Sequence, residues 1–221
     1  KKYNFYAFCD QDDFWERYHL QRSVEYLENI SDIPSVYCSR TKLINEYDDY
    51  IGMSLYFPKN PCFKNSLVQS IAGANTMVFN KKSFDLFKQV DCDKKVISHD
   101  WLLYILVTAG NGSFLYDLNP SVRYRQHQNN LIGSNIGFLN TFKRVKLMFM
   151  GRFRQYNQSN IEHLKNFNSI TADNIEILYN FKQSIYCIKP LRIFYLLKSK
   201  VFRQTLFGHI ALMLNVFFDG P

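Results

Sequence analysis

Apolar and polar positions change their rhythm once along the chain. Up to about residue 130, short apolar runs of strand length alternate with segments whose apolar positions recur every three or four residues. The runs predict strands near residues 3–9, 35–39, 74–79, 113–116 and 122–126, with helices at 16–29, 81–90 and 99–109 between them. In the first helix, Leu20, Val24 and Leu27 form the apolar stripe. Strand and helix in alternation is the signature of an α/β layer structure. Beyond Gly133 strand signals stop, and aromatic and aliphatic residues recur with helical spacing among basic ones. The division expected is therefore 1–132 as an α/β portion and 133–221 as a basic, amphipathic helical extension. The longest apolar stretch, 205–218, contains His209 and Asn215 and falls short of the roughly 20 residues that a bilayer span needs.

Composition places this pattern on a folded scaffold. With 221 residues, 47% hydrophobic and 17% aromatic, the chain can build a core without staples. Its five cysteines are odd in number and form no C-x-x-C pair, which reads as reduced thiols in a cytoplasmic protein. The net charge of +8 is unevenly placed. Residues 118–161 carry no acid but include Arg123, Arg125, Lys143, Arg144, Lys146, Arg152 and Arg154; residues 177–218 are again free of acids. One end of the molecule should attract anions: phosphates, nucleic acid or an anionic membrane face.

Three clusters carry candidate chemistry. Behind the first apolar run stands C-D-Q-D-D-F-W, with Asp10, Asp12 and Asp13 at the expected carboxyl end of a buried parallel strand, where open α/β sheets bind ligands. Asp10 and Asp12 have the alternate spacing that lets two carboxylates share a hard cation, Mg²⁺ or Mn²⁺, with phosphate oxygens. The competing reading makes Asp13 a helix cap with solvated neighbours. The second cluster is His99-Asp100-Trp101 at a helix start, where the macrodipole favours an ionised carboxylate able to take a hydroxyl proton. Here too the residues can serve only as cap and packing. The third is Y-R-Q-H-Q-N-N at 124–130, preceded by Arg123. Alternation puts Arg123, Arg125 and His127 on one side, suited to a diphosphate or a metal shell, or else to an edge strand that resists pairing.

Taken in order, F-C-D-Q-D-D-F-W, I-A-G-A-N-T-M-V-F-N, H-D-W and Y-R-Q-H-Q-N-N resemble family 2 of the inverting nucleotide-sugar glycosyltransferases, in particular its rhamnosyltransferase-like branch. The resemblance implies a GT-A fold, a mixed sheet flanked by helices, of which this chain carries the C-terminal portion. It implies Asp10 and Asp12, with Asp13 adjacent, as the D-x-D motif holding Mn²⁺ or Mg²⁺. His127 would stand near the metal, and Arg123 and Arg125 near the donor diphosphate. Asp100 would be the general base on the acceptor hydroxyl. Gly73, Ala74, Asn75, Thr76, His99 and Trp101 would line the pocket between donor and acceptor.

The function so implied is transfer of a sugar, rhamnose by branch, from a nucleotide-diphosphate donor to a glycan or lipid-linked acceptor in bacterial surface-polysaccharide synthesis. The family's N-terminal strands and acidic turn, which hold the base and ribose, have no counterpart in these residues, so the chain is expected to need a preceding half for activity. Segments such as 141–149 and 191–198 mix basic and apolar residues, as helices on anionic lipid do. Peripheral attachment to the inner face of the plasma membrane competes with simple packing on the catalytic part. The alternative class is a non-enzymatic basic module on membrane or nucleic acid. Nucleic acid is the weaker version, because no reader motif is present.

Overall fold

The computed structural model describes residues 3–91, 93–127 and 153–218. The first two stretches form a curled six-stranded sheet with helices against it. Strands β1 (Phe5–Ala7), β2 (Phe14–Trp15), β3 (Ser35–Ile44), β4 (Tyr50–Met53), β5 (Val78–Asn80) and β6 (Ser113–Arg125) follow the order β1-β5-β3-β6-β2, with β4 also on β3. Only β3 and β6 run parallel among these pairs; the others are antiparallel. The α/β class with a mixed sheet, a GT-A-like arrangement followed by helices, is thus present. Helices α1 (His19–Glu28), α2 (Phe63–Ser66), α3 (Lys81–Phe87) and α4 (His99–Ala109) lie between strands. Helices α5 (Phe153–Leu164), α6 (Ala172–Tyr186), α7 (Lys189–Ser199) and α8 (Leu206–Phe218) complete the described chain.

The expectation of a buried parallel strand at the start is corrected. β1 pairs antiparallel with β5 and is half-buried, because β5 is its only partner among the described residues. Its two-sided apolar character is nonetheless used: Tyr6 stacks on Phe84 at 4.1 Å and joins the main core, while Phe5 packs with Leu27, Tyr37 and Val78 on the other face.

The two strands expected at 113–116 and 122–126 are one. In β6, residues 118–121 bulge opposite Arg40, between the pairs Ser39–Asp117 and Thr41–Val122. Pro120, which has no N–H to give to a ladder, sits in that bulge, and pairing resumes beyond it.

Helix α4 is the axis of the core. Every residue from Trp101 to Ala109 is buried, so only its first turn reaches the surface. Its C-terminal end turns tightly through Asn111, at φ 60°, into Gly112, where a Cβ would lie 2.4 Å from the Pro34 carbonyl oxygen. Only glycine fits so close an approach. The later helices join the same core: Phe153, Ile161, Leu164, Phe181, Leu196 and Leu212 are continuous with Val36, Phe79 and the α4 residues.

Candidate active site

The acidic loop is held at both ends by the sheet. Phe8 N–H extends the β1 ladder by donating to Met77 O at 3.2 Å, and β2 returns the chain alongside the end of β6, with Phe14 opposite Arg123 and Trp15 opposite Val122. Asp10, Asp12 and Asp13 occupy the turn between.

Asp13 is committed within the protein. One oxygen accepts Arg125 N–H at 2.9 Å, and the other accepts the Asn75 side-chain amide. Burial raises its proton affinity, against the lowering effect of these two hydrogen bonds. Asn75 is itself fixed, since Trp15 Nε1 donates to its carbonyl oxygen at 2.9 Å. Residues Ala74–Thr76 form a single 3₁₀ turn in which Thr76 Oγ1 donates to Gly73 O at 3.0 Å. A Cβ at Gly73 would meet Asn75 Oδ1 at 2.7 Å, so the glycine leaves room for the amide that holds Asp13.

Asp12 and His127 form a pair, with Nε2 2.8 Å from Oδ2. A carboxylate only accepts, so the imidazole is the donor and fixes the direction of Asp12. Asp10 is exposed. Its proton affinity is raised by partial burial, then by the charge of Asp12, with a lowering effect of His99 and a raising effect of Asp100. Asp10 therefore feels both its loop neighbour and the first turn of α4. The His99 ring meets Phe8 edge-on at 4.7 Å, which brings α4 against the end of β1. Ser98 Oγ donates to Asp100 Oδ1 and so orients that carboxylate; it does not cap the helix.

Other residues singled out by the sequence have internal roles. Trp101 is buried, donates from Nε1 to Ser66 O at 2.6 Å and lies 5.5 Å from the Tyr156 ring. Arg123 grips Glu16 through Nε at 2.9 Å and Nη2 at 3.3 Å, and its guanidinium lies over Phe14. This bond, with Lys42 nearby, holds the Glu16 carboxyl below its ordinary range. Arg125 donates from Nε to Asp12 O at 3.0 Å and pairs through Nη2 with Asp48 at 2.7 Å. Gln128, Asn129 and Asn130 lie outside the described residues, as does the 141–149 segment.

The structure thus pairs Asp12 with His127, leaves Asp10 within electrostatic reach of Asp12, His99 and Asp100, and uses Asp13, Asn75, Arg123 and Arg125 to frame the loop. Sequence reasoning missed the hairpin that receives Arg125. Its signal was N-E-Y-D-D, in which Asn45 Oδ1 accepts the N–H groups of Tyr47 and Asp49, both at 2.9 Å, as turn asparagines do.

Among the described residues no group of three or more His, Cys, Asp or Glu side chains converges as a ready-made metal cage. The available donors are two carboxylates that repel each other and one imidazole bonded to the second. Such a set suits a hard divalent cation that takes its remaining oxygens from a bound diphosphate, as Mg²⁺ commonly does.

No family model matches the chain. It is similar to the dTDP-rhamnosyl transferase RfbG of Shigella flexneri, at 27% identity over 160 residues. That relative is a glycosyltransferase. The match covers 67% of this chain and 52% of the relative, so the chain spans about half the length of the curated protein it matches.

Proposed function

We propose that the chain carries the acidic loop and catalytic base of an inverting glycosyltransferase that moves a sugar from a nucleotide-diphosphate donor to a hydroxyl of a glycan or lipid-linked acceptor. The relative's name favours dTDP-rhamnose as donor, and the family resemblance suggests polysaccharide synthesis as the setting. One observation supports the reading: the His99 ring meets Phe8 at 4.7 Å, so the first turn of α4 stands beside the strand end that leads into the acidic loop, and the charges of Asp12 and Asp100 both act on Asp10.

In this reading Asp10 and Asp12 hold Mg²⁺ or Mn²⁺ and His127 keeps Asp12 aimed. When bound, the cation neutralises charge growing on the departing diphosphate. Asp100 accepts the acceptor hydroxyl proton while that oxygen forms its bond to the anomeric carbon and the bond to the diphosphate oxygen breaks. A single displacement inverts the anomeric centre and needs no covalent nucleophile. Arg125 anchors the backbone of Asp12 and steadies the loop.

The test has two parts. Calorimetry should show Mn²⁺ and pyrophosphate binding together to the 221-residue chain and more weakly to Asp12→Asn. In a transfer assay with the chain in its complete polypeptide, Asp100→Asn should lower the rate by about 10²–10⁴-fold. Transfer unchanged in Asp100→Asn would remove the base from this reading, and metal-independent turnover would remove the cation.

A further inference from the structure

Helices α7 and α8 leave large apolar side chains in water. On α8, Leu206 (76% exposed), Phe207 (57%), Ile210, Leu214 and Phe218 (63%) recur at one-, three- and four-residue steps that keep them on one side. On α7, Leu191, Phe194 and Leu197 do the same at steps of three. The two helices pack on each other and meet at a cleft lined by Leu197, Lys200, His209 and Met213. Scattered exposed apolar residues are ordinary; stripes of this size on two helices that pack together are not.

The charges around the stripes identify what would cover them. No acid occurs from residue 177 to 218. Lys189, Lys198 and Lys200 are exposed at the ends of α7, whereas Arg192 is buried and donates to Cys187 O at 2.7 Å. We infer that this face of α7 and α8 docks on an anionic lipid surface, its apolar side chains entering the headgroup boundary and its lysines meeting lipid phosphates. A second copy fits less well, because a two-fold contact through this face would set the same cations against each other with no carboxylate from α7 or α8 between them. Among the described residues no helix is long and apolar enough to cross a membrane, so the contact would lie along the surface. This inference does not rest on sugar transfer, and its test uses no donor or acceptor.

The experiment is flotation of the 221-residue chain with phosphatidylcholine vesicles, with and without phosphatidylglycerol, at low and high salt. Lipid docking predicts flotation with the anionic vesicles that weakens in high salt. Phe207→Asp with Leu214→Asp should reduce it by about tenfold or more. Lys198→Glu with Lys200→Glu should abolish the preference for anionic lipid. These side chains are exposed, so unchanged thermal melts should accompany both variants. No flotation with either vesicle, or equal flotation with both, would overturn the inference. So would a dimer in light scattering that Phe207→Asp dissociates while lipid has no effect.

Discussion

At the scale of single residues, the carboxylates of the acidic loop differ because their surroundings differ. Asp13 has both oxygens filled by protein donors, Asp12 is aimed by His127, and Asp10 faces outward with its charge opposed by Asp12 and Asp100. Removing a framing group should therefore weaken the site without touching a ligand. Asn75→Ala leaves one oxygen of the partly buried Asp13 without a donor, and a loss of about 1–3 kcal/mol in urea unfolding is expected. The same side chains appear in the sequence as one undivided D-Q-D-D. Their spacing suggested a cation site, but which of them had partners depended on Asn75 and Arg125, over sixty and over a hundred residues away. A second residue-scale prediction concerns His19, which is fully buried. Its Nδ1 lies 2.8 Å from Ser121 Oγ, and burial lowers its pKa to about 4. The unfolded chain takes up a proton near 6.5 and the folded one does not. Stability is thus complete above that value and falls by about 3 kcal/mol as pH drops from 6.5 towards 4. Asp10 and Asp13, whose proton affinities are raised, act in the opposite direction at the acid end. Urea midpoints measured across this range should show the decline, and His19→Gln should flatten it.

Among the elements, the sequence pattern succeeds where one segment decides its own state and fails where a neighbour does. Helix α4 falls on the expected residues because nine consecutive apolar or small side chains and an asparagine-glycine turn fix both its interior and its end. The break expected inside β6 came from Asp117, Leu118, Asn119 and Pro120, a turn-like string that the parallel partner β3 absorbs as a bulge. β2 and β4 were not foreseen, being two and four residues long and defined by pairing with longer strands. One junction shows how far a single side chain can organise elements. Asn80 ends β5 and caps α3 by accepting Ser83 N–H at 3.0 Å. The same oxygen accepts Ser35 N–H at 3.1 Å, and the amide donates to Ile33 O at 2.7 Å. Asn80→Ala removes a cap and leaves a buried strand N–H unpaired. Together these should cost about 2–4 kcal/mol in chemical unfolding, whereas Asn80→Asp, which keeps the accepting oxygens, should cost less.

Over the whole molecule, the helices after residue 153 and the α/β part complete each other. The carbonyls at the end of α4 need donors. Asn174 Nδ2 supplies Thr108 O at 3.1 Å and Ala109 O at 2.9 Å, while Thr171 N–H supplies Ala109 O at 3.1 Å. Gln204 clasps the loop before α2 from both sides, accepting Lys59 N–H at 2.9 Å and donating to Lys59 O at 2.9 Å. Phe153, Ile161, Phe181 and Leu212 extend the same apolar cluster that surrounds α4. A stretch as apolar as α4 has no stable exposed state in water, so its cover on the side away from the sheet is a folding requirement. The sequence marked residues 133–221 as helical and basic, but the interdependence was hidden, since partners such as Asn174 and Thr108 carry no mark of each other. It follows that a chain ending at residue 127 should lack a cooperative thermal transition and should bind a hydrophobic dye, even though it retains the acidic loop, Asp100 and His127. A milder form is Asn174→Ala, which removes one of two donors from each of two carbonyls, Thr171 N–H and Asn111 N–H remaining, and should lower stability by about 1–2 kcal/mol in urea. It should do so with the Mn²⁺ and pyrophosphate binding proposed for the distant loop little changed while the protein remains folded. A truncated chain that melts cooperatively with the midpoint of the full one would show instead that the helices are carried by the α/β part without supporting it.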